Sequence, residues 1–391
     1  MTVLNGMAWS HQRGLGCLEA VSAGYARRHP GVRINWDRVS PAEFEGAHRA
    51  NEYDLIAMEH PYIGQAHADA ALVPLETVLP AHVLAQQRES SVGPSFASYT
   101  WAGSQWAVAV DATAQVSAYR ADLLGWHIPP VTWDEVTACL KALPPGHKAV
   151  LPADPIHLLC SLLTLCAQLG GSGWLDGTGL DPNVAVPAAE RLLHLLKLVE
   201  PWSLDVGAVE ALEAMSTGAV AYAPMVFGDV SYARELRYAD IPSPNGALAG
   251  SLFDGIGLAI SATSEKTLAA ARFLAHAVSA ECQRGEYVRA GGQPGNRAAW
   301  TDPDVDAAAG GFFSATLRTL DRAFARPRDV AYPVVHRRVA EEIHRMVRRG
   351  VTAREIVSRC NEVWTATYAE HGSVRPESGS PLVTPGRPAG P

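Results

Sequence analysis

The segment DLIAMEHPYIG places a charged pair, Glu59 and His60, directly after an apolar run, with Pro61 closing it. A carboxylate and an imidazole in that position need water, a protein partner or a ligand, because burying them unpaired is costly. Near the N-terminus, AWSHQRG brings Ser10, His11 and Arg13 close together in the chain. Three chemistries compete for these groups. A salt bridge between Glu59 and Arg13 is the structural one. Convergence of His11, Glu59, His60 and His67 would hold a metal ion, although their spacing fits no standard site. Glu59 with Asp111 is the pair of carboxylates that a glycosidase would need. Nucleophile and phosphate-loop signatures are absent: there is no G-x-S-x-G, no H-E-x-x-H and no G-x-x-x-x-G-K-[ST]. These absences argue against an enzyme, and no cofactor or metal is expected.

The elements that must position these residues read as an α/β pattern. VLNGMAW and VRINWDRV have strand character and flank a helix, LGCLEAVSAGYARRHPG, that Pro30-Gly31 ends. A second helix is expected at SPAEFEGAHRA, with Ser40 as cap, Pro41 at the first position and Glu43 three residues on. YDLIAMEHP is the third strand. A βαβαβ opening predicts a parallel sheet covered on both faces, with ligands beyond the carboxyl ends of its strands. That edge would carry Ser10, His11, Arg13, Glu59 and His60. Farther on, Thr132 and Glu135 form a capping box in PPVTWDEV, and Asp181-Pro182 starts another helix. Strand character returns in AVAYAPMVF and in FDGIGLAIS, and the last third is helical.

Composition narrows the classes. At 391 residues the chain suits two domains, and 48% hydrophobic side chains exclude disorder of the whole. The net charge of −8, without any block of five or more like charges, speaks against nucleic acid. Six cysteines, at 17, 139, 160, 166, 282 and 360, lie mostly in apolar segments and read as buried thiols, not as disulfides or a zinc site. The opening MTVLNGMAWSHQRGLG has none of the features of a secretory signal. The uncharged run from Ile156 to Leu175 breaks at Gly170-Gly171, too short to span a bilayer, and reads as a buried helix.

The order of motifs is more specific than any one of them. QWAVAVDATAQVSAYRADLL, then PPVTWDE, AYAPMVF, FDGIGLAIS and GGQPGNRAAWTDPDV, resembles the solute-binding proteins of carbohydrate-type ABC importers, extracellular solute-binding family 1, which includes maltose-binding proteins. The correspondence runs from about Thr2 to Glu370. GMAWSHQRG and DLIAMEHPYIG are similar to a subgroup with W-x-H-x-RG and D-H-P-H-x-G, with Glu59 standing for the Asp and Tyr62 for a His. The resemblance implies a two-lobe periplasmic-binding-protein-like fold of type II with a ligand cleft between the lobes, closing like a hinged clamp. Lobe one would be residues 1–110 plus 256–300, and lobe two 113–253 plus 310–370. Residues 371–391, rich in Pro, Gly and Ser, would be a disordered tail.

It further implies a monomer, periplasmic or at the cell surface, that hands a sugar, polyol or sugar derivative to ABC permease subunits. A metal-ion or small-anion binder of the same fold is the alternative. Sugars need planar polar side chains for their hydroxyls and aromatic faces for their C–H patches. Trp9, Trp101, Trp174, Phe227 and Phe253 are the aromatic candidates. The polar candidates are His11, Arg13, Glu59, His60, Asp111, Gln115, Asp254, Gln293 and Arg326. Plainer readings stand beside them: Trp9 as core, Asp111 as a turn former, and Arg326 as a solvated helix end before Pro327. Trp36 and Trp106 suit core packing, and Trp133 suits helix-start packing.

Overall fold

The computed structural model describes residues 1–39, 49–125, 129–171 and 173–371. The helix expected from the Ser40 cap and the tail expected after residue 371 lie outside the described residues.

Two five-stranded sheets organise the chain. In the first, strand Thr2–Trp9 lies between Val32–Val39 and Leu55–Glu59 and is parallel to both. Ile256–Ile260 then pairs antiparallel with Leu55–Glu59, and Ala107–Ala109 pairs antiparallel with Ile256–Ile260. The wholly parallel sheet expected from the opening βαβαβ is therefore mixed. Ile256–Ile260 returns from the other half of the molecule and not through a helical crossover, so nothing forces it to be parallel.

The second sheet has the order Arg237–Ala239, Thr113–Tyr119, Val220–Phe227, Lys148–Ala149, and Phe253–Asp254 adds to the start of Thr113–Tyr119. The backbone passes between the sheets at Val110–Ala112 and again at Gly255. Only glycine fits there: φ is +153°, and a Cβ would collide with the Asp111 carbonyl. A third passage runs through short helices, Arg297–Trp300 and Pro303–Ala308, to helix Phe312–Asp321, which packs on the second sheet.

The cores follow the sheets. Leu4, Met7, Leu18, Ile56, Leu258 and Phe273 are fully buried around the first. Trp133, Leu159, Tyr332, Val339 and Trp364 belong to a second cluster, and Val116, Phe253 and Phe313 to a third. Each such side chain stabilises by about 1.5–3 kcal/mol on leaving water. Helix Pro155–Gly170 buries every residue from Leu158 to Cys166, which explains its uncharged sequence. No described helix is long and apolar enough to cross a membrane. The capping box of Thr132 and Glu135 is formed, and Asp181 caps its helix. All six cysteines are free, and all but Cys139 are buried.

Candidate functional site

Two arginines build the floor of a cleft between the sheets. Helix Phe312–Asp321 stops before RAFARPRD, and Phe324 bridges Leu252 by backbone hydrogen bonds, so Arg326 sits on an extended segment. It is 4% exposed, which overturns the reading of a solvated helix end. Its Nη2 lies 2.8 Å from Asp254 Oδ1 and 3.2 Å from Glu59 Oε2. Burial works against the guanidinium charge, but Asp254 and Glu59 outweigh it and push the pKa up. Glu59 is thus tied to Arg326, and the expected Glu59–Arg13 pair is replaced.

The backbone N–H of Arg326 donates to His60 Nε2 at 3.1 Å. The His60 proton must then sit on Nδ1, which has no acceptor among the described residues. Burial first, then the charges of Arg326 and Arg328, hold this imidazole neutral, well below the usual range.

Arg13 is the counterpart. A wide turn at Gln12–Gly16 follows strand Thr2–Trp9 and directs Arg13 inward. Nε is 3.1 Å from Asp111 Oδ2, Nη1 is 3.5 Å from Asp229 Oδ2, and Nη1 donates to the Gly228 carbonyl at 3.2 Å. Thr113 Oγ1 donates to the same carbonyl at 2.9 Å. Asp111 is wholly buried. Burial, joined by repulsion from Asp229 and Asp254, outweighs Arg13 and pushes its carboxyl up to about 7.

Above this floor is a cavity of about 400 Å³. One wall carries Trp9, Glu59 and Tyr62 from the first sheet's strand ends. The other comes from two helix N-termini. Asp154 caps helix Pro155–Gly170, accepting from His157 N at 2.9 Å, and its Oδ1 also lies 2.9 Å from His157 Nδ1. His157 Nε2 accepts from Ala208 N at 3.2 Å, which fixes the proton on Nδ1. Burial would raise the Asp154 carboxyl; the His157 ring and N–H contacts overcome it and hold it down. Glu210 accepts from Gly207 N at 3.1 Å, closing the start of helix Ala208–Thr217. Ile156, Leu212 and Phe227 supply apolar surface, and the Phe227 ring meets His157 edge-on at 5.9 Å.

Six of the residues expected from sequence line this cavity: Trp9, Arg13, Glu59, Phe227, Asp254 and Arg326. The others are brought elsewhere, for reasons of packing. His11 stacks on the Trp9 ring at 4.5 Å and caps the turn that holds Arg13. His60 and Phe253 are fully buried beneath the floor, their rings 5.5 Å apart. Asp111 lies behind Arg13, so the paired carboxylates of a glycosidase do not face one space. Trp101 belongs to the first core, where its carbonyl accepts from Trp106 Nε1. Trp174 packs against Phe324 in the second. Gln115 is buried between Ser161 and Thr164. Gln293 braces the crossing, accepting from Val230 N and donating to the Ala112 carbonyl.

Sequence reasoning missed Tyr62, Asp154, His157, Glu210, Asp229 and His336 as wall residues. Asp154-Pro155 before an apolar run was a legible helix cap; that its helix starts at the cleft was not.

The metal quartet does not assemble: His60 is engaged below the floor, and His67 packs against Trp106 at 4.9 Å. Among the described residues, His276, Cys282 and Glu286 bring donor atoms within 4.8 Å of one another. Arg28 already joins that trio, 2.9 Å from Glu286 Oε1 and 2.8 Å from His276 Nε2.

Comparison with known proteins places the chain. A curated relative, a probable ABC transporter-binding protein of Deinococcus radiodurans, is 25% identical over 241 residues. The match takes in 56% of this chain and spans 57% of that relative's length. Among solved structures, maltose-bound MalE3 of T. maritima superposes with a TM-score of 0.79 at 18% identity, covering 94% of this chain and 100% of the other. The GacH receptor of Streptomyces glaucescens, solved unliganded and with acarbose, gives 0.76 at 16%, covering 95% and 100%. A mannitol-bound ABC transporter solute-binding protein of Agrobacterium vitis gives 0.74 at 15%, covering 96% and 100%. These likenesses establish the two-lobe α/β fold. Residues 20–311, about three quarters of the chain, match the family model of bacterial extracellular solute-binding proteins, and the chain belongs to that family.

Proposed function

We propose that the cleft captures a small polyhydroxylated solute, a sugar, polyol or sugar derivative, and delivers it to an ABC importer outside the cytoplasmic membrane. The carrying observation is the composition of the cavity wall. Aromatic faces at Trp9, Tyr62 and Phe227 stand against directed polar groups at Glu59, Asp154, His157 and Asp254. Flat C–H patches stack on the first set and hydroxyls bond to the second. Solved proteins of the same fold with bound maltose, mannitol, tagatose and ribitol support the solute class.

In this reading lobe one comprises residues 1–110 plus 256–300, and lobe two 113–253 plus 310–370. The solute is held without chemical change. Closure of the lobes follows from tighter binding to the closed state, since a ligand shifts an equilibrium only by its differential affinity. Binding would stabilise the fold in proportion to concentration over Kd. A thermal-shift panel of sugars and polyols, with calorimetry on each hit, tests the proposal. A stabilising sugar or polyol is expected, recovered unaltered after overnight incubation, with Trp9→Ala binding it at least tenfold more weakly. A panel without a hit, or a chemically altered ligand, refutes it.

A further inference from the structure

Every positive feature at the cleft is already answered by a carboxylate of the chain itself. Arg326 lies between Glu59 and Asp254, and Arg13 between Asp111 and Asp229. Three helix N-termini also converge on the wall, through Ile156 and His157, Ala208 and Val209, and Pro333 and His336. Such termini attract anions, because their free N–H groups and dipoles point at the ligand. Here Asp154 caps the first and Glu210 closes the second. Asp329 accepts from Ala331 N and Tyr332 N at the third. The wall itself carries five carboxylates, Glu59, Asp154, Glu210, Asp229 and Asp254, against the two guanidiniums.

Two further details bear on what enters. Asp154 Oδ2 and Glu210 Oε2 converge over Gly207, 3.0 and 3.1 Å from where its Cβ would stand, with His157 Cε1 beside them at 2.9 Å. On the helix packed beside them, His336 is 8% exposed, yet its Nε2 has no hydrogen-bond partner among the described residues. Burial, with Arg326 and His157 nearby, holds that imidazole neutral. It offers a ligand a hydrogen bond and no charge.

We infer, on the basis of the solute-capture reading above, that the cleft selects uncharged or amine-bearing polyols and refuses sugar acids and sugar phosphates. A carboxylate or phosphate would have to displace an aspartate or glutamate from its arginine or helix terminus, or lie beside it as a like charge. An ammonium group would meet Asp154 and Glu210 without displacing anything.

The test extends the panel to four classes: neutral sugars and polyols, amino sugars, uronic and aldonic acids, and sugar phosphates. Stabilising hits are expected only in the first two, with the acid or phosphate of any hit binding at least tenfold more weakly than its parent. An acid or phosphate among the tightest binders overturns the inference and leaves solute capture standing; a panel without a hit overturns both. Asp154→Asn combined with Glu210→Gln keeps both capping acceptors while removing their charge. For the hit and its acid, this variant should cut the discrimination at least fivefold. Unchanged discrimination refutes the assignment to these carboxylates.

Discussion

Arg326→Gln is the perturbation with the most consequences at the cleft floor. In the wild type one nitrogen, Nη2, touches both Glu59 Oε2 and Asp254 Oδ1, so those oxygens lie at most about 6 Å apart. Without the guanidinium two carboxylates face each other. At an effective dielectric of about 20 their repulsion is about 3 kcal/mol. Water reaching Glu59, whose side chain is a third exposed, lowers this to about 2 kcal/mol. For a lobe of this size that corresponds to a drop in Tm of roughly 4–8 °C.

The loss must depend on pH, and its sign is fixed. Repulsion raises a carboxyl pKa in the folded variant above its unfolded value of about 4. The folded variant then binds a proton that the unfolded chain does not, so stability is regained as pH falls through the raised pKa. Thermal unfolding of variant and wild type at pH 8 and pH 5 should therefore give a smaller difference at pH 5. Adding Asp254→Asn should remove most of the loss at pH 8. A difference that is equal at both pH values, or untouched by the second substitution, refutes the reasoning.

Other outcomes follow from the same geometry. Glu59→Ala should weaken solute binding at least tenfold; unchanged affinity by calorimetry would take Glu59 out of the site. The Asp111 carboxyl, pushed up to about 7, keeps its proton in the folded state while the unfolded chain loses it near 4. Its contribution to stability therefore falls as pH rises from 4 to 7. Asp111→Asn should gain in Tm relative to wild type across that window, and a constant offset would contradict the assignment. Gly255→Ala should lower Tm by several degrees, through a collision with the Asp111 carbonyl and a φ that alanine rarely adopts; an unchanged Tm would show that the crossing has room.

What the sequence made legible was local. Strand period, the capping box at Thr132, the Asp181 cap and the uncharged helix after Asp154 depend on residues within a turn or two of one another. Direction across a sheet does not. Whether FDGIGLAIS runs parallel or antiparallel to DLIAME depends on where the chain has been in between, some two hundred residues of it, and no residue in either segment encodes that.

The site divides in the same way, by the reach of the interaction. Glu59 and Asp254 could be singled out because a charge at the end of an apolar strand is a local anomaly. Trp101, Trp174 and Gln115 sit in equally suggestive places, yet packing partners far along the chain enclose them, such as Phe324 against Trp174. Arg326 is the instructive case. Its own neighbours suggested a solvated helix end, because its carboxylate partners are 72 and 267 residues away in sequence. The same separation gives it its role. Glu59 ends a strand of the first sheet, Asp254 pairs with a strand of the second, and Arg326 joins both. Arg13 repeats the arrangement, running from the first sheet's strand end to Asp229 beyond Val220–Phe227. At the cleft floor, the ion pairs of both buried arginines therefore also span the two halves. Under the proposed function, a solute that competes for Glu59 or Asp254 would act on contacts that join the two halves.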